Sequence, residues 1–591
     1  MKRKSLVRLC LAVGLFGSLV VLLGIELPSV VAAAVTRLKK PDARVRPLPR
    51  LPALTPDQQR GFMTRILPML GSGQTQRQMA KELGVPGIAG KRLDSGRNVR
   101  APERFRTELD AQVTGDYYGW LGFQNEPSIA VSPIDADVVV AFTHNTFNFS
   151  GLSNACSIYL SFDGGLDFFY YTDVPHEVTD RDGDGALDTH FCSDPVIRAS
   201  PYAGTAANLN HLFYLTYMDI NRGDANDPPP AVLTSKIRLQ RRFVWDLGST
   251  FTTTALDANP VGFLDKNWVD VHTFDVFDGS LDAFGTVYVT STVFFNDGSC
   301  GIAFNRSFNF GTTWSYGTGA VLIATPPGNT CAAPFLVQGS RPIGGPGNKM
   351  MVCFYDSASD GWSPGSSSST SGKFFIDCAA SPDQGTSFPV FVSTSPPISY
   401  EAPFWLGPNA SLHRWWGSMF PSLAIDHLGN GHVAYTLDPT PLKADAESGN
   451  VVYQKSTLTA TNPLYALWGG KVTLGSGSMA QGWASVIAQK VNKQKAPIIW
   501  LAYMDHQGSA ALGTGAKNLI YDVRYRKSIT GGPAFAGSVL VTDQSSLSDY
   551  VFIGDYIDGA ANSRRYHVIW TDRADKTSIF DYEDDVFADR Y

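Results

Sequence analysis

From about residue 113 the chain settles into short apolar runs of four to seven residues, separated by turn-forming stretches rich in Gly, Asn, Asp and Pro. That rhythm predicts β-strands rather than helices. The runs fall into two series. Innermost strands are predicted at 127–131, 195–199, 268–271, 334–337, 421–425, 483–487 and 553–557. Each is followed by a second strand, at 138–142, 212–217, 287–293, 350–355, 432–437, 498–503 and 566–570. Seven such units predict a repeat-built, all-β protein. The last unit runs out of chain before an outer strand, so a segment near 116–123 is expected to complete it and close the ring, leaving no exposed edge.

A turn signature recurs within the units. It reads Ser161-Phe162-Asp163-Gly164-Gly165-Leu166-Asp167-Phe168, Ser381-Pro382-Asp383-Gln384-Gly385-Thr386-Ser387-Phe388 and, with Asn, Ser307-Phe308-Asn309-Phe310-Gly311-Thr312-Thr313-Trp314. Val244–Phe251 keeps all but the serine, Ser528–Gly532 is a decayed copy, and another decayed copy is expected near Ser456. The Asp or Asn side chain accepts backbone N–H bonds inside a tight turn. The glycine takes a backbone angle that other residues resist, and the final aromatic is suited to the layer between neighbouring sheets. These turns resemble the Asp boxes of the sialidase-like (BNR) propellers, a resemblance covering most of 113–591. It implies an Asp-box β-propeller, read here as seven-bladed with six blades as the alternative, and a glycan-directed activity. The Asp boxes themselves belong to the face opposite the active site. The resemblance is incomplete: sialidases use an arginine triad, a Tyr/Glu pair and an Asp, and open with Arg-Ile-Pro, where this chain has Asn125-Glu126-Pro127.

Before residue 113 the pattern differs. Lys2, Arg3, Lys4 and Arg8 precede an apolar run to Gly24, and Ala32-Ala33-Ala34 offers a cleavage site, so 1–34 is expected to be a signal peptide and the mature protein secreted. Residues 35–112 are Pro/Arg-rich and expected to be a basic tether or pro-segment. Within it Thr55-Pro56-Asp57-Gln58 predicts a helix start. Charge sharpens this division. The net charge is −6, yet residues 36–112 carry 16 basic against 7 acidic side chains, while 113–591 carry 28 against 46. An acidic body argues against nucleic acid and anionic membrane as partners. An extracellular glycan or glycoprotein is the expected partner, and a monomer the expected state. Six cysteines follow the signal, and neighbour pairing (Cys156–Cys192, Cys300–Cys331, Cys353–Cys378) is the simplest disulfide set.

Candidate chemistry collects on the loop-rich face. Asp219, Asp297, Asp356, Asp438, Asp505 and Asp572 are expected at the ends of second strands, and Glu126, Asp194, Asp265 and Asp555 where innermost strands begin. Clustered acids raise each other's pKa or recruit a cation, and a carboxyl pair can split a glycosidic bond. Glu126, Asp194, Asp265 and Asp555 are therefore the catalytic candidates, with Tyr556 added by analogy. Trp268, Arg414, Trp415, Trp416, Trp483 and Arg573 are candidates for holding a saccharide. Asp180, Asp182, Asp184 and Asp188 have the spacing of a calcium loop with Gly185 at its sixth position, but Phe191 replaces the closing Glu. Structural Ca2+ is the expected cofactor. Two functions compete: an exported glycosidase acting through these carboxylates, and a non-catalytic, calcium-stabilised propeller that binds a glycan or a protein.

Overall fold

In a computed structural model of the protein, the described residues are 46–52, 54–66, 110–114, 122–147, 154–180, 183–200, 212–224, 234–243, 251–272, 285–324, 336–359, 372–394, 398–400, 420–437, 450–474, 481–490, 495–507, 520–543, 545–547, 556–572 and 585–591. They form seven antiparallel sheets, six built on four successive strands and the seventh on three C-terminal strands and one from before the first blade. Blade one spans 122–173, blade two 190–257, blade three 262–324, blade four 336–393, blade five 422–473, blade six 481–540 and blade seven 558–590. The architecture is a seven-bladed β-propeller. Every predicted second strand is present, and each begins within one residue of its expected position.

One innermost strand lies elsewhere than expected: blade seven's is Asp558–Ala561, beyond 553–557, whereas blade four's, Leu336–Gly344, overlaps the expected 334–337. The closing strand also moves. Ala111–Gln112 pairs with Phe587 and Ala588 as the outermost strand of blade seven, whereas Gly122 and Phe123 open the innermost strand of blade one. Two residues carry no alternation to read, so this closure was invisible in the pattern of the chain.

Part of the expected tether is built into the body. Arg46–Pro47 adds a fifth strand to blade three beside Leu322 and Val321. Pro56–Ile66 is a helix whose Phe62, Met63 and Ile66 are buried in the largest hydrophobic cluster. Its start is reciprocal: Thr55 N–H donates to Gln58 Oε1 at 3.0 Å and Gln58 N–H to Thr55 Oγ1 at 3.4 Å, a capping box with proline in the first turn. Arg65 then reaches the carbonyl of Asn296 in blade three at 3.3 Å.

The motif turns form as read. In each of the three full copies the serine hydroxyl accepts the glycine N–H, at 2.8 Å (Ser161–Gly165), 2.9 Å (Ser307–Gly311) and 2.7 Å (Ser381–Gly385). The Asp or Asn oxygen accepts N–H groups three or four residues on. A second device was not legible. A basic side chain near the end of one blade's third strand donates to a turn carbonyl in the next blade: Arg241 to Phe310, Arg306 to Gln384, Lys455 to Gly531 and Arg590 to Asp163. The turns are thus clamped across four blade interfaces. Cys156–Cys192 links blade one to blade two, and Cys353–Cys378 joins opposed residues within blade four. Cys300 is also disulfide-bonded, and its expected partner Cys331 lies outside the described residues, as does the expected signal peptide.

Candidate functional site

The innermost strands share one irregularity. The pairing to the second strand slips between Asn125 and Ser128, Ser193 and Val196, Asp265 and Trp268, Gln338 and Arg341, and Gly482 and Ser485. Each slip is a bulge two residues long. Its first residue has a left-handed backbone: Glu126 at φ 52°, Asp194 at 50°, Lys266 at 56°, Gly339 at 64° and Trp483 at 48°. Four of these five are not glycine, and left-handed non-glycine residues gather where surrounding structure enforces them, often at functional sites. Phe420 and Tyr556 occupy the corresponding place in blades five and seven, two residues before Ser422 and Asp558.

These positions meet. Glu126 and Asp194 are fully buried, and a Glu126 carboxylate oxygen accepts the Asp194 N–H at 3.0 Å. Asp194 in turn pairs with the Lys266 ammonium at 2.8 Å, which lies 4.5 Å from the centre of the Tyr556 ring and 5.9 Å from that of Phe420. The Tyr556 hydroxyl donates to the Pro195 carbonyl at 2.8 Å. Blades one, two, three and seven are thereby tied together.

Two residues further along the same strands is a second layer. Trp268 has the Arg341 guanidinium 3.6 Å from its ring centre and that of Arg198 at 5.0 Å, and Tyr556 packs edge-on against it. Arg198 pairs with Asp558 at 2.9 Å, which also accepts the Ser128 hydroxyl at 2.6 Å. Arg341 donates to the Ser422 hydroxyl at 3.2 Å. Burial drives the Arg341 guanidinium down to about 9, against the opposing pull of Asp558. Burial also lifts Asp270, two residues further along the strand, to about 6, although the Gly344 N–H bonds its carboxylate.

Against this layer lies a narrow pocket whose lining side chains are all buried. Five blades supply its described lining: Lys266, Trp268, Arg341, Phe420, Trp483 and Tyr556 surround it, with Gly339 in one wall. The charged groups among the described lining residues are both cations. Here the outcome departs from the expected acidic mouth, because the acids are engaged elsewhere. Asp265 accepts the Gln338 side-chain amide. Asp219 is held by His176 and His190 at 3.2 and 2.8 Å; burial favours its neutral form, but the two imidazole bonds outweigh that and hold it below the usual carboxylate range. Asp505 pairs with Arg524 at 2.6 Å, Asp572 accepts the Trp570 indole N–H, and Asp297 caps its own turn at Ser299. Asp219, Asp356 and Asp505 lie inside their second strands rather than at the ends, because those strands run past the predicted limits.

Of the residues singled out from the sequence, Glu126, Asp194, Trp268, Trp483 and Tyr556 come together on the axis. Asp555, Arg414, Trp415, Trp416 and Arg573 lie outside the described residues, as does Asp438. Lys266, Arg341, Phe420 and Gly339 were missed. A signal existed: Glu126-Pro127, Asp194-Pro195 and Phe420-Pro421 stand at one place in the repeat, and aligning the innermost strands on it brings Lys266 to the same position.

The calcium loop is described in part. Asp180 accepts the N–H groups of Gly183 and Gly185 at 2.8 and 3.0 Å, Asp184 accepts that of Ala186, and Asp188 accepts from Thr179 and Asn221. Asp182 lies outside the described residues. Among the described residues no three His, Cys, Asp or Glu side chains are grouped to hold a metal ion, and no helix is long and apolar enough to cross a membrane.

No protein-family profile matches the chain, and no curated protein does. Solved structures similar to it include an α-L-arabinofuranosidase from Fusarium graminearum, at 9% identity over 72% of this chain and 98% of that one, with a TM-score of 0.37. An ulvan lyase is similar at 12% identity, covering 80% and 93%, with a TM-score of 0.40. The intramolecular trans-sialidase from Ruminococcus gnavus is similar at 12% identity, covering 79% and 94%, with a TM-score of 0.34. The propeller assignment rests on the seven sheets themselves.

Proposed function

We propose that the protein is an exported propeller that binds acidic saccharides in the axial pocket. One observation carries this reading: the pocket's described lining combines four aromatic rings with two cations, Lys266 and Arg341. A sugar ring presents an apolar face that stacks on Trp483, Trp268 or Tyr556, while a carboxylate or sulfate on that sugar is drawn to the cations. Such a mixture of apolar walls and a few fixed polar groups is the usual make-up of a small-ligand site. Lys266 is paired with Asp194 and Asp558 is paired with Arg198, so the ligand's acid adds to an existing network, and affinity should fall with salt.

The experiment is a binding panel of matched neutral, uronate-bearing, sulfated and sialylated oligosaccharides at two ionic strengths. Acidic members should bind best and weaken with salt, and Trp483→Ala should lower their affinity about fivefold or more, since a lost stacking contact is worth on the order of 1 kcal/mol or more. Equal binding of the neutral members, or an unaffected Trp483→Ala, would reject the reading.

A second reading, hydrolysis, is favoured by one arrangement: Tyr556 lines the pocket while Glu126 and Asp194 stand behind Lys266. Turnover of any panel member that is lost in Tyr556→Phe would establish it over simple binding. The calcium loop enters this proposal as a stabilising element outside the pocket, tested by chelator: a lowered melting temperature with unchanged affinity is the expected result.

A further inference from the structure

Five blades place a residue at the same left-handed position on the axis, and four of them place a full side chain there. Glu, Asp, Lys and Trp all tolerate that backbone. The glycine at 339 is therefore not required by its φ of 64°. It is required by space: a Cβ at 339 would stand 2.2 Å from Phe420 Cγ, 2.3 Å from Cδ1 and 2.8 Å from Cβ. Contacts under 3 Å do not survive in folded proteins, and the nearest atoms include Phe420 Cβ, so rotating the ring cannot relieve the clash. Tyr355 packs edge-on against that ring with centroids 6.5 Å apart, and the Lys266 ammonium faces it at 5.9 Å.

We propose that Gly339 and Phe420 together set the depth of the axial pocket and so its specificity, the missing side chain at 339 being the recess into which Phe420 leans to leave room for ligand. Any larger residue at 339 drives Phe420 out of the recess. With Tyr355 behind the ring, the direction left is the pocket that Gly339 and Phe420 both line. Truncating Phe420 does the reverse and deepens the pocket beside Lys266. The proposal rests on the pocket being a ligand site, and it names the pair that decides which ligands fit.

The test uses the full secreted chain and two readouts. The first is affinity for the best-binding acidic oligosaccharide of the panel. The second needs no glycan: iodide quenching of the fluorescence component that Trp483→Phe removes, which reports an anion's access to the pocket. Gly339→Ala should lower affinity tenfold or more and at least halve that quenching. Phe420→Ala should raise the quenching and shift preference towards bulkier, branched acidic saccharides. In a Phe420→Gly background, Gly339→Ala should have no further effect, because all three atoms it strikes are gone. Wild-type access in Gly339→Ala, or an equal effect with and without Phe420, would overturn the proposal. If Gly339→Ala does not fold, recovery of folding in the double variant supports the clash, and unchanged quenching in Phe420→Ala alone overturns the pocket role. Should no glycan bind wild type, the binding reading fails while the quenching series still decides the role of this pair.

Discussion

The turn at Ser307–Trp314 and the axial position at Lys266 are both repeated around the ring, and they repeat in opposite ways. At the turns the side chains recur and the chemistry is local: a serine oxygen, an Asp or Asn oxygen and a left-handed glycine satisfy one another within eight residues. On the axis the backbone recurs and the side chains do not: Glu126, Asp194, Lys266, Gly339 and Trp483 share one bulge, yet they comprise two acids, a base, a glycine and an indole. Repetition of residues marks scaffold. Repetition of backbone with differing residues marks a place where five similar strands have been given different tasks.

The sharpest way to break this comparison is Lys266→Met. Lys266 is 4% exposed and its partner Asp194 is fully buried, so the substitution strands a carboxylate in the core. Removing one member of a buried ion pair costs about 3–5 kcal/mol. Urea denaturation should show that loss, and Asp194→Asn in the same chain should restore much of it. A stability within about 1 kcal/mol of wild type would mean that the axis is not the keystone described.

Next in size is Gly311→Ala, which tests the scaffold side. Its φ is 77° and a Cβ would stand 2.3 Å from Leu239 Cδ2 of the neighbouring blade. Left-handed backbone costs about 1–2 kcal/mol for a non-glycine residue and overpacking about 1–3, so a loss of about 2–5 kcal/mol is expected in the same assay. The comparison predicts that such a change lowers stability while leaving the affinity of the folded fraction intact. Gly339→Ala, by contrast, should lower the affinity of the folded fraction as well.

The third prediction concerns the seam between blades six and seven. Asp110 N–H donates to Asp543 at 2.7 Å, and Asp543 N–H returns a bond to Asp110 at 2.8 Å, locking the closing strand in place. Burial, reinforced by the charges of Asp543, Asp589 and Asp572 and only partly offset by the Asp543 N–H, lifts Asp110 to about 8. A carboxyl raised in the folded state binds a proton that the unfolded chain, with its carboxylate near 3.9, has already released. Its contribution is complete below about pH 4 and is lost as pH rises to about 8. Melting temperature should therefore decline across that window more steeply in wild type than in Asp110→Asn. Equal slopes would remove Asp110 from the account.

These contrasts also explain what could be read from the chain. Second strands, motif turns and two neighbour disulfides were legible because each is written in residues close in sequence. His432 and Asp426, which pair at 3.1 Å, are likewise six residues apart. The Arg clamps and the Lys266–Asp194 pair join residues about 70 or more apart, often of different blades, and no local pattern announces them. The partners of the described acids were not legible for a related reason. Counting carboxylates along the chain gives their number but not their partners, and His190, Arg524 and Lys266 reach them only through the fold.

The smallest effect discriminates most finely. Asp163 and Asn309 hold the same place in two copies of the turn. Both accept a bond from the preceding serine, Ser161 at 2.7 Å and Ser307 at 2.9 Å, and both accept backbone N–H groups further on. Burial works to raise Asp163, but the Ser161 hydroxyl and the Asp167 and Leu166 N–H groups hold it below the usual carboxylate range, so it is charged throughout the neutral region. If the turn needs only an acceptor oxygen at this place, Asp163→Asn should change stability by less than about 0.5 kcal/mol, as surface substitutions that keep their bonds generally do. Asp163→Ala, which leaves those N–H groups to water, should cost about 1 kcal/mol. Ligand affinity should be untouched in both, since the turn lies on the face away from the pocket. A fall in affinity in Asp163→Asn, with the fold intact, would show that the two repeated regions are coupled and that the division between scaffold and site is drawn in the wrong place.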